Sequence, residues 1–379
     1  MVRRPAAEAF AAIIAAALLA KPAEAEVFNS SAGLVQVAIV GPAFEHPWAL
    51  AFLPDFPQTG AMLVTERPGR LALIQRGERF DIEGLPPIAA GGQGGLLDMA
   101  LSPDFSRTGL IYLTHSAPTA DGAANTVVTR AVLDREKLVL HDLRTVLRMT
   151  SNETGGRHFG SRLAFAPDGT LFVTMGERGN RASAQDPDSH NGKVHRITPD
   201  GGIPADNPFA NGGGLASIWS MGHRNPQGAA VHPRTGELWT VEHGARGGDE
   251  VNRPRAGDNH GWPEVSYGTH YSGAKIGQGE TAPGFVEPVH YWDPSIAPSG
   301  AAFYDGTLFP AWRGDLFVGA LKDQLLMRLE IEDGEVVGQE PLFEGAFGRV
   351  RDVRIGPDGA LWFLTDEAEG RLHRVSPML

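Results

Sequence analysis

The chain has 379 residues, of which 42% are hydrophobic and 21% charged, so it can bury a large core. Its 48 glycines and 28 prolines favour many short strands joined by turns over long helices. A formal net charge of −12 argues against a general nucleic-acid-binding protein, because phosphate backbones are bound by clustered lysines and arginines. The absence of cysteine excludes disulfides and thiolate chemistry.

The first 25 residues have the pattern of a secretory signal. Arg3 and Arg4 precede an apolar run over residues 9–20, and Ala23-Glu24-Ala25 has the small-x-small form of a cleavage site. A membrane anchor is the weaker alternative, because the run is much shorter than the roughly 20 residues of a spanning helix. We therefore predict export, with no membrane insertion, and a mature chain that forms one domain over residues 26–379.

A strand-turn-strand phrase recurs along the mature chain at intervals of roughly 50 to 70 residues. The six copies begin at Ala49, Asp98, Arg162, Gly228, Ser299 and Asp352. The turn between the two strands contains Pro54, Pro103, Pro167, Pro233 and Pro357 in five copies and Asp305 in the fifth one along the chain. One four-stranded blade per copy predicts an all-β fold, a six-bladed β-propeller. An array of β-sandwiches is the alternative.

The polar segments between the copies contain the candidate functional residues, because the repeated phrases are needed for blade cores. Standard signatures such as HExxH, GxSxG and the phosphate-binding GK[ST] loop are missing. His158 lies in the glycine-flanked stretch GGRHFGSR, which predicts a loop. A neutral imidazole there can accept a hydroxyl proton near neutral pH, although a structural histidine is the alternative.

The segment from Glu242 to Trp262 is rich in glycine and in oxygen-bearing side chains. It contains Glu242, Asp249, Glu250, Asn252, Asp258 and Asn259. Such oxygens in irregular backbone suit Ca²⁺, which accepts 6–8 ligands with loose geometry. The spacing is not that of an EF-hand, and a solvated turn-rich loop is the alternative.

Arg349 and Arg351 alternate along the predicted first strand of the sixth copy, so we expect both on one face. Two neighbouring guanidinium groups repel unless an anion lies between them, and they match carboxylates well. Pairing with Asp352 or with a carboxylate of another blade is the alternative. Arg224-Asn225 and Lys322 add cationic or donor groups at other blades, and together these residues suit a multiply charged anion.

Several longer motifs occur in a familiar order. They are GGQGGLLD, RHFGSRL, AQDPDSHNGKVHRI, IWSMGHRNPQG, EHGARGGDE, NHGWP, HYSG, GALKD and GRVRDVRIGPDG. In these motifs the chain resembles the soluble pyrroloquinoline-quinone (PQQ) aldose sugar dehydrogenases, the glucose/sorbosone dehydrogenase family, over nearly all of the mature sequence. It is especially similar to the periplasmic enzymes of Gram-negative bacteria.

The resemblance implies a PQQ- and calcium-dependent enzyme that oxidises aldose sugars at the anomeric carbon to lactones. Electrons would pass to an external acceptor, either a small molecule or a cytochrome-type protein. His158 matches the family's catalytic base. The implied cofactor contacts are Gln93, Arg224, Asn225, Tyr271, Leu321, Lys322, Asp323, Arg349, Val350 and Arg351. The implied calcium ligands are the Glu250 carboxylate, the backbone of His260, and Gly244 and Ala245.

Two positions depart from the family pattern. Family members commonly have tyrosine where this chain has His260, and often proline where it has Ala245. Ligation through main-chain oxygen would tolerate both changes. The alternative functions are a calcium-dependent propeller hydrolase of the lactonase type, which leaves the arginine pair without a purpose, and a noncatalytic carbohydrate-binding propeller.

Overall fold

A computed structural model describes residues 25–150 and 154–378, and its regular structure is almost entirely β-strand. In chain order the strands are β1 Glu26–Ser30, β2 Gly33–Phe44, β3 Pro47–Phe52, β4 Met62–Glu66, β5 Arg70–Gln75, β6 Glu78–Ile82, β7 Leu96–Leu101, β8 Leu110–Pro118, β9 Ala124–Asp134, β10 Val139–Arg148, β11 Gly160–Phe165, β12 Leu171–Met175, β13 Lys193–Ile197, β14 Ile218–Met221, β15 Pro226–Val231, β16 Leu238–Glu242, β17 Asp249–Asn252, β18 His290–Trp292, β19 Pro298–Phe303, β20 Leu316–Ala320, β21 Leu325–Glu332, β22 Glu335–Leu342, β23 Val350–Ile355, β24 Leu361–Thr365 and β25 Gly370–Pro377. The short helices are α1 Phe56–Thr59 and α2 Phe105–Thr108, with 3₁₀ turns at Arg181–Gln185 and Pro310–Trp312. None of the helices in the described ranges is long and apolar enough to cross a bilayer.

The strands form six antiparallel sheets, the blades. Blades 1 to 5 each take four consecutive strands, from β3–β6 in blade 1 to β19–β22 in blade 5. Blade 6 consists of β23, β24 and β25 followed by β2 and β1, so both ends of the described chain share one sheet. The first strands of neighbouring blades contact one another all the way around the ring. The predicted all-β six-bladed propeller is therefore confirmed, and each predicted copy begins in the first strand of a blade.

Tight turns join the first and second strands at one end of the ring. In blades 1 and 2 a single helical turn ends at Gly60 and Gly109, which have φ values of 66° and 64°. In blades 3 and 6 the Pro-Asp-Gly turns place Gly169 and Gly359 at φ 83° and 76°. Left-handed backbone favours glycine, so the repeated glycines of the phrases are explained by local conformation.

At the opposite end, every first strand has a register shift against the second strand within its first few residues. In blade 1, Thr65 of the second strand accepts a hydrogen bond from the Ala49 N–H at 3.0 Å. The same hydroxyl donates to the Leu97 carbonyl of blade 2 at 2.6 Å. Thr114 and Thr174 make equivalent bonds from blades 2 and 3. Bulges re-aim side chains, and here they turn six chain segments toward one end of the ring.

A buried ionic network closes the centre of the ring. The Arg162 Nη1 atom lies 3.1 Å from an Asp98 oxygen and 2.8 Å from an Asp352 oxygen. Arg354 approaches the same two carboxylates at 3.0 Å each. Gly300 is needed beside it, because a Cβ at that position would lie 2.4 Å from an Asp352 oxygen. Two arginines and two aspartates balance their charges, which makes their burial tolerable.

Candidate active site

A polar cavity lies at the bulged end of the ring, and all six blades contribute to it. Its lining residues are Trp48, Arg67, Gln93, Leu97, Phe159, Gly160, Asn225, Gln227, His243, Ala297, Leu321, Arg349, Arg351 and Asp366. Most lie just before or at the start of a first strand, or just after a second strand. Because the strands are antiparallel, these two sets of residues meet at the same end of the blades.

The charge of the cavity wall is predominantly positive. Arg67, Arg349 and Arg351 line it, whereas Asp366 is the one lining carboxylate among the described residues. Arg351 Nη2 lies 2.6 Å from an Asp366 oxygen, and its Nη1 donates to Gln227 at 2.8 Å. Arg351 Nε is buried without a hydrogen-bond partner. The wall can therefore bind an anion beyond the one carboxylate that it contains.

Arg349 and Arg351 both line the cavity, but not by alternation along one regular strand, because β23 begins at Val350 and Arg351 lies at its register shift. Their surroundings differ, because Arg351 pairs with Asp366 of its own blade and not with Asp352. The Arg349 guanidinium donates to the Leu321 carbonyl at 3.3 Å and has no ion pair within the described chain. Burial works to raise the pKa of Asp366, but Arg351 holds it below its ordinary value, so this carboxylate stays charged.

His158 lies in the loop that precedes β11. Its Nδ1 lies 2.6 Å from a Glu177 oxygen, and its backbone N–H donates to the Gln93 side chain at 2.7 Å. Burial lowers the pKa of His158, against the opposing effect of Glu177. Because the carboxylate accepts the Nδ1 proton, Nε2 of the neutral ring is left with its lone pair. The neighbouring residues Phe159 and Gly160 line the cavity, although His158 itself is not among the lining residues.

Asn225 connects the histidine loop to the arginines. Its Oδ1 accepts from the Gly160 N–H at 3.1 Å and from Gln227 Nε2 at 3.2 Å. Gln227 in turn accepts from Arg351 at 2.8 Å. This chain of hydrogen bonds crosses blades 3, 4 and 6, so the protein's own side chains hold the cavity wall in place.

Arg224 lies beside the cavity and is almost fully buried. Its Nη1 donates to the His243 carbonyl at 3.1 Å, and its guanidinium lies 5.3 Å from the centre of the Trp262 ring. Its Nε is buried without a partner, and burial lowers its pKa. Tyr271, another predicted contact of this blade, is 74% exposed. Arg224 is thus a further guanidinium, beside the three that line the cavity, that can bind an anion.

The remaining predicted cofactor contacts lie at the edge of this region. Lys322 Nζ donates to the Ser295 carbonyl at 2.7 Å and to Asp323 at 2.8 Å. The Val350 carbonyl accepts from Ser299 at 2.7 Å. Of the ten predicted contacts, the structure brings five into the cavity wall: Gln93, Asn225, Leu321, Arg349 and Arg351.

The predicted calcium ligands fall into two places. Asn252 Nδ2 donates to Glu250 at 3.0 Å and to Glu242 at 2.9 Å, so two carboxylates lie close together. Burial, and then Glu242, raise the pKa of Glu250 to about 8. The His260 ring packs on His223, with ring centres 4.7 Å apart, and His223 in turn contacts Glu242. The other two predicted ligands, Gly244 and Ala245, follow the cavity-lining His243 directly.

Sequence reasoning missed several residues that form the site or hold it, among them Trp48, Arg67, Glu177, Gln227, His243 and Asp366. A signal for some of them was present. Four of the six repeated phrases end in a buried acidic residue at or just after the second strand: Glu66, Glu177, Glu242 and Asp366. A buried carboxylate at a recurring position needs a partner, and that partner is an arginine or histidine in each case.

Together, the ring, the cationic cavity and the histidine-carboxylate pair beside it indicate a propeller enzyme whose site is suited to an anionic ligand. The sequence profile described as Glucose / Sorbosone dehydrogenase matches residues 44–374. The aldose sugar dehydrogenase YliI of Escherichia coli is 45% identical over 348 residues, which cover 90% of this chain and 93% of that protein. This chain belongs to the glucose/sorbosone dehydrogenase family and is a sugar dehydrogenase.

Solved structures agree with this assignment. The crystal structure of the soluble aldose sugar dehydrogenase from Escherichia coli in the apo form has a TM-score of 0.87 and 44% identity, covering 91% of this chain and 100% of that one. The PQQ-bound form of the aldose sugar dehydrogenase from Streptomyces coelicolor has a TM-score of 0.76 and 28% identity, covering 93% of this chain and 99% of that one.

Proposed function

We propose that this protein oxidises aldose sugars at the anomeric carbon to lactones, using PQQ and calcium, and passes the electrons to an external acceptor. The observation that carries the proposal is the cationic cavity. Three lining guanidinium groups face one lining carboxylate, and the Nε atoms of Arg224 and Arg351 are buried without partners. A neutral lactone, the substrate of the alternative hydrolase, gives no reason for such a wall.

The donor set fits PQQ, which has three carboxylates and supplies an ortho-quinone that accepts a hydride. Arg349, Arg351 and Arg224 would bind its carboxylates, and Gln93 and Asn225 would hold polar atoms. Tyr271, Leu321, Lys322, Asp323 and Val350 complete the proposed contacts at the edge of the cavity. Because these residues come from blades 2, 4, 5 and 6, one ligand would join four blades.

His158 is the proposed catalytic base. Its Nε2 would take the proton of the anomeric hydroxyl while the C1–H hydride leaves, so that the C1–O bond becomes the lactone carbonyl. Glu177 holds the Nδ1–H tautomer at 2.6 Å and stabilises the imidazolium that forms. The lowered pKa keeps the ring neutral, and therefore basic, at neutral pH.

Oxygen donors near the cavity fit calcium. Glu250 lies close to the buried Glu242, and a divalent cation would offset both the burial and the Glu242 repulsion that raise the pKa of Glu250. The Asn252 Oδ1 atom is buried without a partner, and an amide oxygen of this kind is an ordinary calcium ligand. No described group of three or more histidine and acidic side chains forms a metal cage, so backbone oxygens of Gly244, Ala245 and His260 would have to complete the shell.

The cellular setting belongs to the same proposal. Residues 1–24, which contain most of the predicted signal, lie outside the described residues. We propose that they direct export to the periplasm and that residues 26–379 form one propeller domain. An external acceptor, either a small molecule or a cytochrome-type protein, would then collect the electrons outside the cytoplasm.

One assay tests the function directly. Purified apo-protein is mixed with Ca²⁺ and PQQ and given aldoses with an artificial electron-accepting dye. We expect dye reduction that requires both the cofactor and the sugar, with lactone as the product. Hydrolysis of added lactones without dye reduction would instead establish the alternative hydrolase.

A further inference from the structure

We propose that Arg178 is a positioning residue that fixes the loop carrying His158 before any ligand binds. The inference rests on the proposed function, because the position of this loop matters for the reaction only if His158 is the catalytic base. Arg178 directly follows Glu177, so one dipeptide would hold both the ring and the backbone of the histidine segment.

The contacts of Arg178 converge on that segment. Its Nε donates to the Arg157 carbonyl at 3.0 Å, and its Nη2 donates to the Gly155 carbonyl at 2.6 Å. Its guanidinium lies 3.6 Å from the centre of the Phe159 ring. Residues on both sides of His158 are thus bound by one side chain. A planar fork of donors does this in a way that a single ammonium group cannot.

A third bond anchors the guanidinium itself. Arg178 Nη1 donates to the Ala124 carbonyl of β9 at 2.7 Å, which ties the histidine loop of blade 3 to blade 2. Arg178 is 2% exposed. A buried cation is costly unless its donors are satisfied, so these three carbonyls and the ring define one preferred position.

The histidine loop needs such support because its conformation is unfavourable. His158 has φ 54°, in the left-handed region that non-glycine residues rarely adopt. A Cβ at Gly176 would lie 2.0 Å from the His158 carbonyl oxygen, so the backbone that follows the second strand of the blade packs directly on it. Such conformations persist only where the surroundings over-determine them. Arg178 helps to hold the His158 backbone in this conformation through the carbonyls that it binds.

The charged groups proposed to bind the cofactor lie on other elements, and of the proposed contacts Gln93 and Asn225 bond the histidine loop through its backbone N–H groups. Arg349 and Arg351 belong to blade 6, and Arg224 precedes the first strand of blade 4. A loosened histidine loop should therefore lower kcat while cofactor affinity stays unchanged. A misplacement of about 1 Å in a catalytic group can lower a rate by about 100-fold.

The test compares Arg178→Lys with Arg196→Lys. Arg196 is a matched control on the same blade, because it is also buried, also lies over an aromatic ring, and binds Asp168 and Asp206 away from His158. We expect Arg178→Lys to lower kcat by about 10- to 100-fold with PQQ affinity unchanged. Arg196→Lys should leave kcat unchanged, even if it lowers the melting temperature. A wild-type kcat in Arg178→Lys, or an equal loss in both variants, would overturn the proposal.

Hydrogen-deuterium exchange of the apo-proteins supplies a readout that needs no reaction. The His158 and Gly160 amides donate to Gln93 and Asn225, so peptides covering them should exchange slowly in the wild type without PQQ. Exchange there should speed up in Arg178→Lys and not in Arg196→Lys. If the wild-type peptides become protected only after PQQ is added, the cofactor orders the loop and the inference is wrong. Failure of the proposed function would appear separately, as a wild-type protein that reduces no dye.

Discussion

The first strands of the six blades run from the bulged end of the ring to its turn end. The residues at these two ends differ in how far they repeat from blade to blade and in their polarity. At the turn end, the copies resemble one another, and the cavity there is lined by small and apolar residues such as Ala164, Ala230 and Phe303. At the bulged end, every blade contributes a different set of residues, most of them polar. The ring needs the repeated end for its geometry, so the unrepeated end is where chemistry can vary.

The residues that lie between the two ends show the same division along one strand. Arg351 lines the polar cavity, Asp352 and Arg354 belong to the central network, and Ile355 lines the opposite cavity, which Arg354 also reaches. Changes at these levels should have different consequences. Substitutions at the bulged end should alter rate or cofactor affinity, those in the network should alter stability, and those at the turn end should do little.

The largest effect is expected at His158. His158→Gln removes the base while keeping a polar side chain of similar size, and it should lower kcat by about 10²–10⁴-fold. PQQ affinity, measured by fluorescence titration, should not change. A fully active variant would remove His158 from the mechanism.

The central network should dominate stability. Arg162 is 1% exposed and contacts both Asp98 and Asp352, so Arg162→Met leaves two buried carboxylates with Arg354 alone. We expect the free energy of unfolding to fall by about 3–5 kcal/mol in urea titrations. A double variant, Arg162→Met with Asp98→Asn, should recover part of the loss. Unchanged stability in the single variant would mean that the network adds nothing to the ring.

Cofactor affinity should depend on Arg351. Arg351→Gln removes a charged donor from the cavity wall, and the loss of about 1.5–3 kcal/mol should weaken PQQ binding by roughly 10- to 100-fold. Arg374→Gln is the control, because Arg374 lies on β25, the middle strand of the same blade, and pairs with Asp358 of the turn between β23 and β24. Equal affinities in the two variants would contradict the assignment of the cavity.

The pH dependence of kcat/KM should report the histidine-carboxylate pair. His158 acts as a base only when neutral, and its pKa lies below the ordinary 6.5, so activity should be lost only as the pH falls below that value. Glu177 favours the imidazolium, so Glu177→Gln should move the loss to still lower pH as well as lowering kcat. A decline that begins above pH 6.5, or one that Glu177→Gln leaves in place, would argue against this base.

The smallest effect is expected at the turn end. Gly169 has φ 83° and open space where a Cβ would lie, so Gly169→Ala should cost only the left-handed conformation, about 1–2 kcal/mol. Gly176→Ala, on the same blade at the bulged end, would force a Cβ to within 2.0 Å of the His158 carbonyl oxygen. Melting temperatures and kcat of the two variants should separate the ends. Loss of kcat in Gly169→Ala would show that they are not independent.

Much of the fold was predictable because it depends on local rules. Alternating apolar strands, Pro-Asp-Gly turns and a regular interval define a blade, and Gly169 and Gly359 satisfy the same turn wherever the copy lies in the chain. Both Arg349 and Arg351 line the cavity as expected, but the bulge at the start of β23 and not simple alternation brings them together. Family resemblance, not spacing, assigned His158 and Glu250.

Local patterns in the chain account for the repeat, for the turns, and for which kinds of side chain occur in the segments between the copies. Which of these residues meet depends on the ring. Asp366 pairs with Arg351 across a bulge, and Gln227 joins Arg351 to Asn225. Arg178 binds the carbonyl of Arg157, which lies 21 residues earlier in the chain. These contacts follow from how the blades are arranged around a closed circle, and no local pattern specifies that arrangement.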